Sequence, residues 1–228
     1  HCLTGSETLK KIVADTSSNE SIPWQTVIKT IEVFRMKQTL ENTWAQEVLT
    51  EAELSQYAEF QQSWESRCSR EPELREDFIK NRTDLLKQIE VHLDKDPRGE
   101  EGLELGKQWM VMINGIYGPE HANLKQAVWE KGFKQGKIDA DRGLDPKMVQ
   151  WLDAAIDHYY VECIKDVLAQ IKGNETEDSS ISLAWEALME EMCGTSLAMR
   201  QSIYDAVLVH EEVNKKAKTW LAACFGPK

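Results

Sequence analysis

Positive charge is scarce in this sequence. It carries 27 lysines and arginines against 39 aspartates and glutamates, a formal net charge of −12. A surface of that sign repels a phosphate backbone, so this chain by itself is not expected to grip nucleic acid. No run of about 18 apolar residues occurs, which excludes a transmembrane helix, and no signal peptide is recognisable. The five cysteines, Cys2, Cys68, Cys163, Cys193 and Cys224, are odd in number and contain no CxxC pair. Reduced thiols in a cytoplasmic protein are therefore expected, not a disulfide framework. The chain begins at His1 without a Met, so a segment upstream is expected.

The motifs of catalysis are missing as well. No GxSxG, GxxxxGK[ST] or GxGxxG is present. "HEEVN" at His210 lacks the second histidine of a zinc helix, because position 214 is Asn. The residues three before His92, His121, His158 and His210 are Ile89, Gly118, Ala155 and Val207, so the Glu-x-x-His of a di-iron bundle is absent. No DDxxD metal motif appears. The expectation is a protein that is not an enzyme and holds no metal or cofactor.

What remains is helical periodicity, with no good alternating run for a strand. "SETLKKIVA" (6–14) reads as a short helix. Pro23 opens a longer one to about Trp44, with Val27, Ile28, Ile31, Phe34 and Leu40 on roughly one side. That helix reads as core or as a pairing helix, and two or three heptads do not decide. Thr50 and Glu53 form a capping box that starts the next helix, carrying Tyr57, Phe60 and Trp64. "SREPELRED" restarts the pattern to about Asp94, "DKDPRGEEG" breaks it, and Glu104–Tyr117 follows with Gly118-Pro119 as its stop. A short helix spans about Glu120–Trp129. The segment 131–143 reads as the least structured part of the main body. In "GLDPKMVQWLDAAIDHYY" (143–160), Asp145 is the N-cap, Pro146 is N1, and Leu144 with Val149 forms a hydrophobic staple. "GNETEDSS" is a polar break before two or three final helices.

The sequence repeats itself. Leu105, Trp109, Met112, Ile113, Ile116 and Gly118 match Ile181, Trp185, Leu188, Met189, Met192 and Gly194, each pair 76 positions apart. Around them "DLLKQI" (84–89) matches "DVLAQI" (166–171), "LKQAVW" (124–129) matches "MRQSIY" (199–204), and "WLDAAI" (151–156) matches "WLAACF" (220–225). Four blocks in one order point to a duplication. The second copy lacks the GLDP start and the glycine-rich segment, so the halves are not equivalent.

Eight tryptophans are many for a helical protein of this size. Trp109 and Trp185 sit at the centres of apolar faces and read as core. Gln126 with Trp129, and Gln201 with Tyr204, each place a long amide beside a ring, as pockets for small molecules do. Trp151, Tyr159 and Tyr160 add rings on one helix. The small Ala154 and Ala155 beside them leave room for a close helix or for a ligand. His158 alone reads as structural.

"WMVMINGIYGPEHANLKQAVW" followed by "GLDPKMVQWLDAAI" resembles the TipA-type antibiotic-recognition domain of MerR-family regulators. The tandem arrangement is similar to albicidin-resistance modules. The resemblance covers about Trp44–Lys228. It implies an all-α, globin-like module in two tandem, non-equivalent halves, which encloses bulky multi-ring antibiotics. On this reading residues 1–45 resemble the tail and dimerisation helix of a MerR head, and a homodimer would form through 23–44. Residues 46–228 would be the ligand-binding domain, with halves 46–165 and 166–228. The family's ligand-facing segment matches His121–Trp129, which adds His121 and Asn123 to the binding residues. The family's reactive cysteine has no match, and its helix-turn-helix is absent from this chain.

The expectation is therefore a non-enzymatic binder of an albicidin- or thiopeptide-like antibiotic, giving sequestration and resistance. Trp129, Trp151, Tyr159, Tyr160 and Tyr204 would supply stacking, with Gln126 and Gln201 fixing orientation. The alternatives are the effector-sensing half of a MerR-family regulator, whose DNA contact lies in the missing head, and a helical protein–protein interaction module.

Overall fold

The computed structural model describes residues 43–138, 144–172 and 180–225, with a few positions among 26–40. The helix expected at 6–14 and most of that at 23–44 lie outside these residues, as do 139–143 and the polar break at 173–179. Every element of regular structure among the described residues is helical. The chain divides into two compact units, 1–70 and 71–228.

In the first unit, Ile28, Ile31 and Arg35 are helical positions. Helix α1 spans Trp44–Val48 and opens at an extended Thr43, which separates it from the residues before. Helix α2 spans Glu51–Arg70. Its start follows from the capping box: the Thr50 N–H donates to Glu53 Oε2 at 2.7 Å, and the Glu53 N–H to Thr50 Oγ1 at 3.3 Å. Tyr57 meets the edge of Trp44 at 5.7 Å and stacks near Phe60 at 6.3 Å.

The second unit holds seven helices among the described residues. They are α3 (Pro72–Glu90), α4 (Glu100–Tyr117), α5 (Ala122–Ala127), α6 (Pro146–Ala169), α7 (Ser180–Cys193), α8 (Leu197–Val209) and α9 (Lys215–Phe225). A 3₁₀ turn, Pro119–His121, precedes α5, and a π-helical segment, Val128–Phe133, continues it. Two boundaries differ from the sequence reading. Helix α4 starts at Glu100, not Glu104, because an extended Gly99 ends the preceding turn and the two acidic residues Glu100 and Glu101 suit a helix N-terminus. Residues 131–133 are helical, because the turn winds on past Trp129 with a wider pitch.

The start of α6 is built as its sequence specifies. The Asp145 carboxylate accepts from the N–H groups of Lys147 and Met148, and Pro146 needs no donor at N1. The staple residues Leu144 and Val149 are buried. Gly118 and Gly194 end α4 and α7 with φ of 68° and 53°, where a side chain is strained.

Helices α4 and α6 cross with almost nothing between them. A Cβ added at Gly106 would stand 2.7 Å from the Ala155 carbonyl oxygen. Ala155 is fully buried, so the room left by small residues on α6 is filled by a close helix. Around this crossing lies one hydrophobic cluster, with Leu86 and Ile89 from α3, Trp109 from α4, and Trp151, Leu152 and Tyr160 from α6. A second cluster joins Leu168 and Ile171 at the end of α6 to Trp185, Met189, Tyr204, Trp220 and Leu221. Leu188 and Met192 of α7 pack against both.

The sequence blocks of the repeat fall on these helices in order. The first series takes α3, α4, α5 with its π segment, and the start of α6. The second takes the end of α6, then α7, α8 and α9. Helix α6 runs unbroken through the junction at residues 165 and 166. The matched tryptophans Trp109 and Trp185 are 3% and 2% exposed, which makes both core. Trp151 and Trp220 are equally buried but differ at the indole. Trp151 Nε1 donates to the Lys95 carbonyl at 3.0 Å, whereas Trp220 Nε1 has no acceptor among the described residues.

Gly106→Ala should lower the unfolding free energy by about 1–3 kcal/mol, the usual cost of overpacking. Gly115 lies on the same helix with nothing within 4 Å of an added Cβ. Gly115→Ala should stabilise by about 0.5–1 kcal/mol. Urea unfolding of the two variants checks the pair, and equal effects would contradict the close crossing.

Candidate functional site

Trp129 stands where the helix changes pitch. The Lys134 N–H reaches back five residues to the Trp129 carbonyl at 3.0 Å, and the Lys137 N–H to Gly132 at 2.9 Å. Such segments are rare and are frequent at functional sites. Here the π segment sets Trp129 and Phe133 side by side, with ring centroids 5.5 Å apart. Trp129 also leans on buried Trp109 at 6.3 Å. It is half-buried, and its indole N–H donates to Asp153 Oδ1 on α6 at 2.8 Å. An amphipathic ring clamped at its polar edge and left partly open can receive a flat partner.

The clamp is itself held by charge. Lys134 Nζ lies 3.0 Å from Asp153 Oδ2 and 3.1 Å from Glu130 Oε1. Burial works against the Lys134 charge, but hydrogen bonds to Asp153 and Glu130 outweigh it and hold its pKa above the usual lysine value. One turn on from Asp153, Asp157 is pushed above the ordinary carboxylate value by burial and by the Asp153 charge.

A second polar group lies where α4, α5, α6 and α7 converge. Tyr160 donates its hydroxyl to Glu191 Oε1 at 3.0 Å. Lys125 donates to Asn114 Oδ1 at 2.5 Å and to the Glu191 carbonyl at 2.9 Å. Tyr159 is half-buried, 5.1 Å from Tyr160 between ring centroids, and paired with Cys163. Burial raises the Tyr160 pKa first, and the Glu191 charge adds to it. The thiols of Cys163 and Cys193 are pushed up chiefly by burial, which leaves little thiolate at neutral pH.

The other residues singled out from sequence are spread more widely. Trp151 is buried in the first cluster and anchors the turn before α4. Gln126 and His121 are half-buried. Asn123 donates to Thr195 Oγ1 at 2.9 Å, while its Oδ1 is shielded from solvent with no partner among the described residues. Gln201 is exposed on α8 and donates to Asp205 at 2.8 Å. Tyr204 belongs to the second cluster, so the two Gln/aromatic pairs sit against different clusters. Sequence reasoning missed Asp153, Phe133, Lys134, Asn114 and Glu191. It also passed over Lys125, although the repeat aligns Lys125 with Arg200, a cation at both matched positions.

Among the described residues no group of three His, Cys, Asp or Glu could hold a metal ion, and no helix is long and apolar enough to cross a membrane. Comparison with protein-family models, curated proteins and solved structures gives no match.

The raised pKa of Asp157 has a definite sign. Between the ordinary 3.8 and the raised value the folded chain binds more protons than the unfolded one, so stability falls as pH rises through that window. Asp157→Asn should therefore stabilise at pH 7, by only a few tenths of a kcal/mol because part of the side chain still faces solvent, which screens the effect. The gain should vanish below the ordinary carboxylate value. Chemical denaturation on either side of the window checks it, and an equal gain at both pH values would contradict it.

Proposed function

We propose that this chain is a non-enzymatic binding protein for a bulky multi-ring antibiotic, albicidin- or thiopeptide-like, which it sequesters. The observation that carries the reading is Trp129: a half-buried ring on a π-helical segment, fixed at its N–H by Asp153 and flanked by Trp109 and Phe133. The ligand lies on this ring and reaches toward Tyr159 and Gln126. Trp151, Tyr160 and Tyr204 are the buried wall that keeps the helices bearing the site in place. In this reading residues 46–228 are two tandem, globin-like halves, 46–165 and 166–228, whose boundary falls within α6. Binding is non-covalent, in keeping with the raised thiol pKa values of Cys163 and Cys193. The cytoplasm is the compartment that fits such thiols.

A second reading has its own support. Ile28 and Ile31 are helical positions three apart, 51% and 46% exposed. An exposed apolar pair on the helix before the binding unit suits a dimerisation helix, as in the effector-sensing half of a MerR-family regulator. A chain that is dimeric in solution, and monomeric once residues 1–43 are removed, favours it.

Titration with albicidin-like and thiopeptide compounds should quench tryptophan fluorescence. Trp129→Ala should weaken binding about tenfold or more, the worth of one buried ring. Circular dichroism establishes that the variant is folded. The reading fails if no compound quenches the protein, or if the folded variant binds as tightly as the parent.

A further inference from the structure

The repeat places a cation at two matched positions, and their surroundings differ. Arg200 on α8 donates through Nη1 to the Glu186 carboxylate at 2.8 Å, and through Nε and Nη2 to the Gly194 carbonyl. It is capped, neutralised and spent. Lys125 on α5 is its counterpart. Its ammonium meets the amide oxygen of Asn114 and the backbone oxygen of Glu191, both uncharged. The Glu191 carboxylate is engaged by the Tyr160 hydroxyl. Lys134, Lys165 and Arg200 each make a contact ion pair, and Lys125 makes none among the described residues. An ammonium has three N–H donors, so one of the three on Lys125 has no acceptor among the described residues.

A half-buried ammonium without a contact ion pair is costly, because the two neutral oxygens and the Glu191 charge make up only part of the lost hydration. Burial accordingly lowers the Lys125 pKa. Lys125 also lies four residues before Trp129, so the two side chains leave the continuous turn of α5 and its π segment on nearly the same side.

We infer that Lys125 is the anion-binding end of this site, and that the ligand carries an acidic oxygen group, such as a carboxylate or sulfonate, attached to its ring system. The third N–H of Lys125 donates to that group, and the ring lies on Trp129. Asn114 and the Glu191 carbonyl hold the ammonium in place without neutralising it. The inference rests on the binding reading above and adds the charge of the ligand. It runs against the net charge of −12, which by itself disfavours every anion.

Two dyes with one ring system separate the possibilities. The anion 1-anilinonaphthalene-8-sulfonate and the uncharged N-phenyl-1-naphthylamine are titrated by fluorescence into the whole chain at neutral pH. The parent should bind the sulfonate about tenfold more tightly or better, the range of a charge-assisted hydrogen bond. Lys125→Gln keeps a donor for Glu191 but no charge, and should lose this preference while its affinity for the neutral dye stays within about twofold. Lys125→Arg should retain the preference. If the parent binds both dyes equally, or if the folded Gln variant keeps the preference, Lys125 is only a cap on α7 and the inference falls while the binding reading stands. If neither dye binds and tryptophan fluorescence does not respond, both fall. The comparison of dyes on the parent needs no variant to fold.

Discussion

The close crossing of α4 over α6 at Gly106 and Ala155 is the constraint on which the second unit depends. Because no side chain separates the two backbones there, the large residues on either side of the contact must pack around it. Trp109 and Met110 follow Gly106 on α4, and Trp151 and Leu152 precede Ala155 on α6, all buried. Trp151 then fixes the turn before α4 through Lys95, which sets where α4 begins. The matched positions in the second series are Ser182 and Cys224, so that series carries side chains at both. The two series share an order of helices but not the same contact at their centre.

From this packing follows the split between rings that support and rings that can receive. Trp109, Trp151, Trp185 and Trp220 are spent on the interior. Trp129 is pushed outward by Trp109 behind it and turned by the wider pitch of the π segment. Asp153 holds it by the N–H, and Lys134 holds Asp153. A chain of hydrogen bonds thus fixes a ring that packing alone leaves half open. One turn before it, Lys125 is fixed by two neutral oxygens. The proposed site is a ring and a charge, each held by groups that leave its working face unspent.

Much of the scaffold was legible in the sequence because it is encoded locally. The Thr50–Glu53 box, the Asp145 cap, and the glycine stops at Gly118 and Gly194 each use residues within a turn of one another, so their spacing states their structure. The apolar faces of α4 and α7 were legible for the same reason, and Trp109 and Trp185 sit where those faces put them. The π segment was not legible, since a reading at 3.6 residues per turn stops at Trp129 and leaves Phe133 in a loop. Nor was the choice between a close helix and a ligand beside Ala155, which needed Gly106, 49 positions away. Asp153 as the partner of Trp129, and Asn114 and Glu191 as those of Lys125, are likewise tertiary facts. The matched cations Lys125 and Arg200 were visible, but only their partners show that one sits in a contact ion pair and the other does not.

In the proposed site Trp129 is the receiving ring, while its fellows in the core are architecture. The indole ¹⁵N–¹H resonances of the tryptophans, assigned by single substitution and followed through a titration with an albicidin-like compound, test it directly. The Trp129 resonance should move with saturation while those of Trp185 and Trp220 hold their positions. Movement of Trp185 or Trp220 with Trp129 unchanged would contradict it.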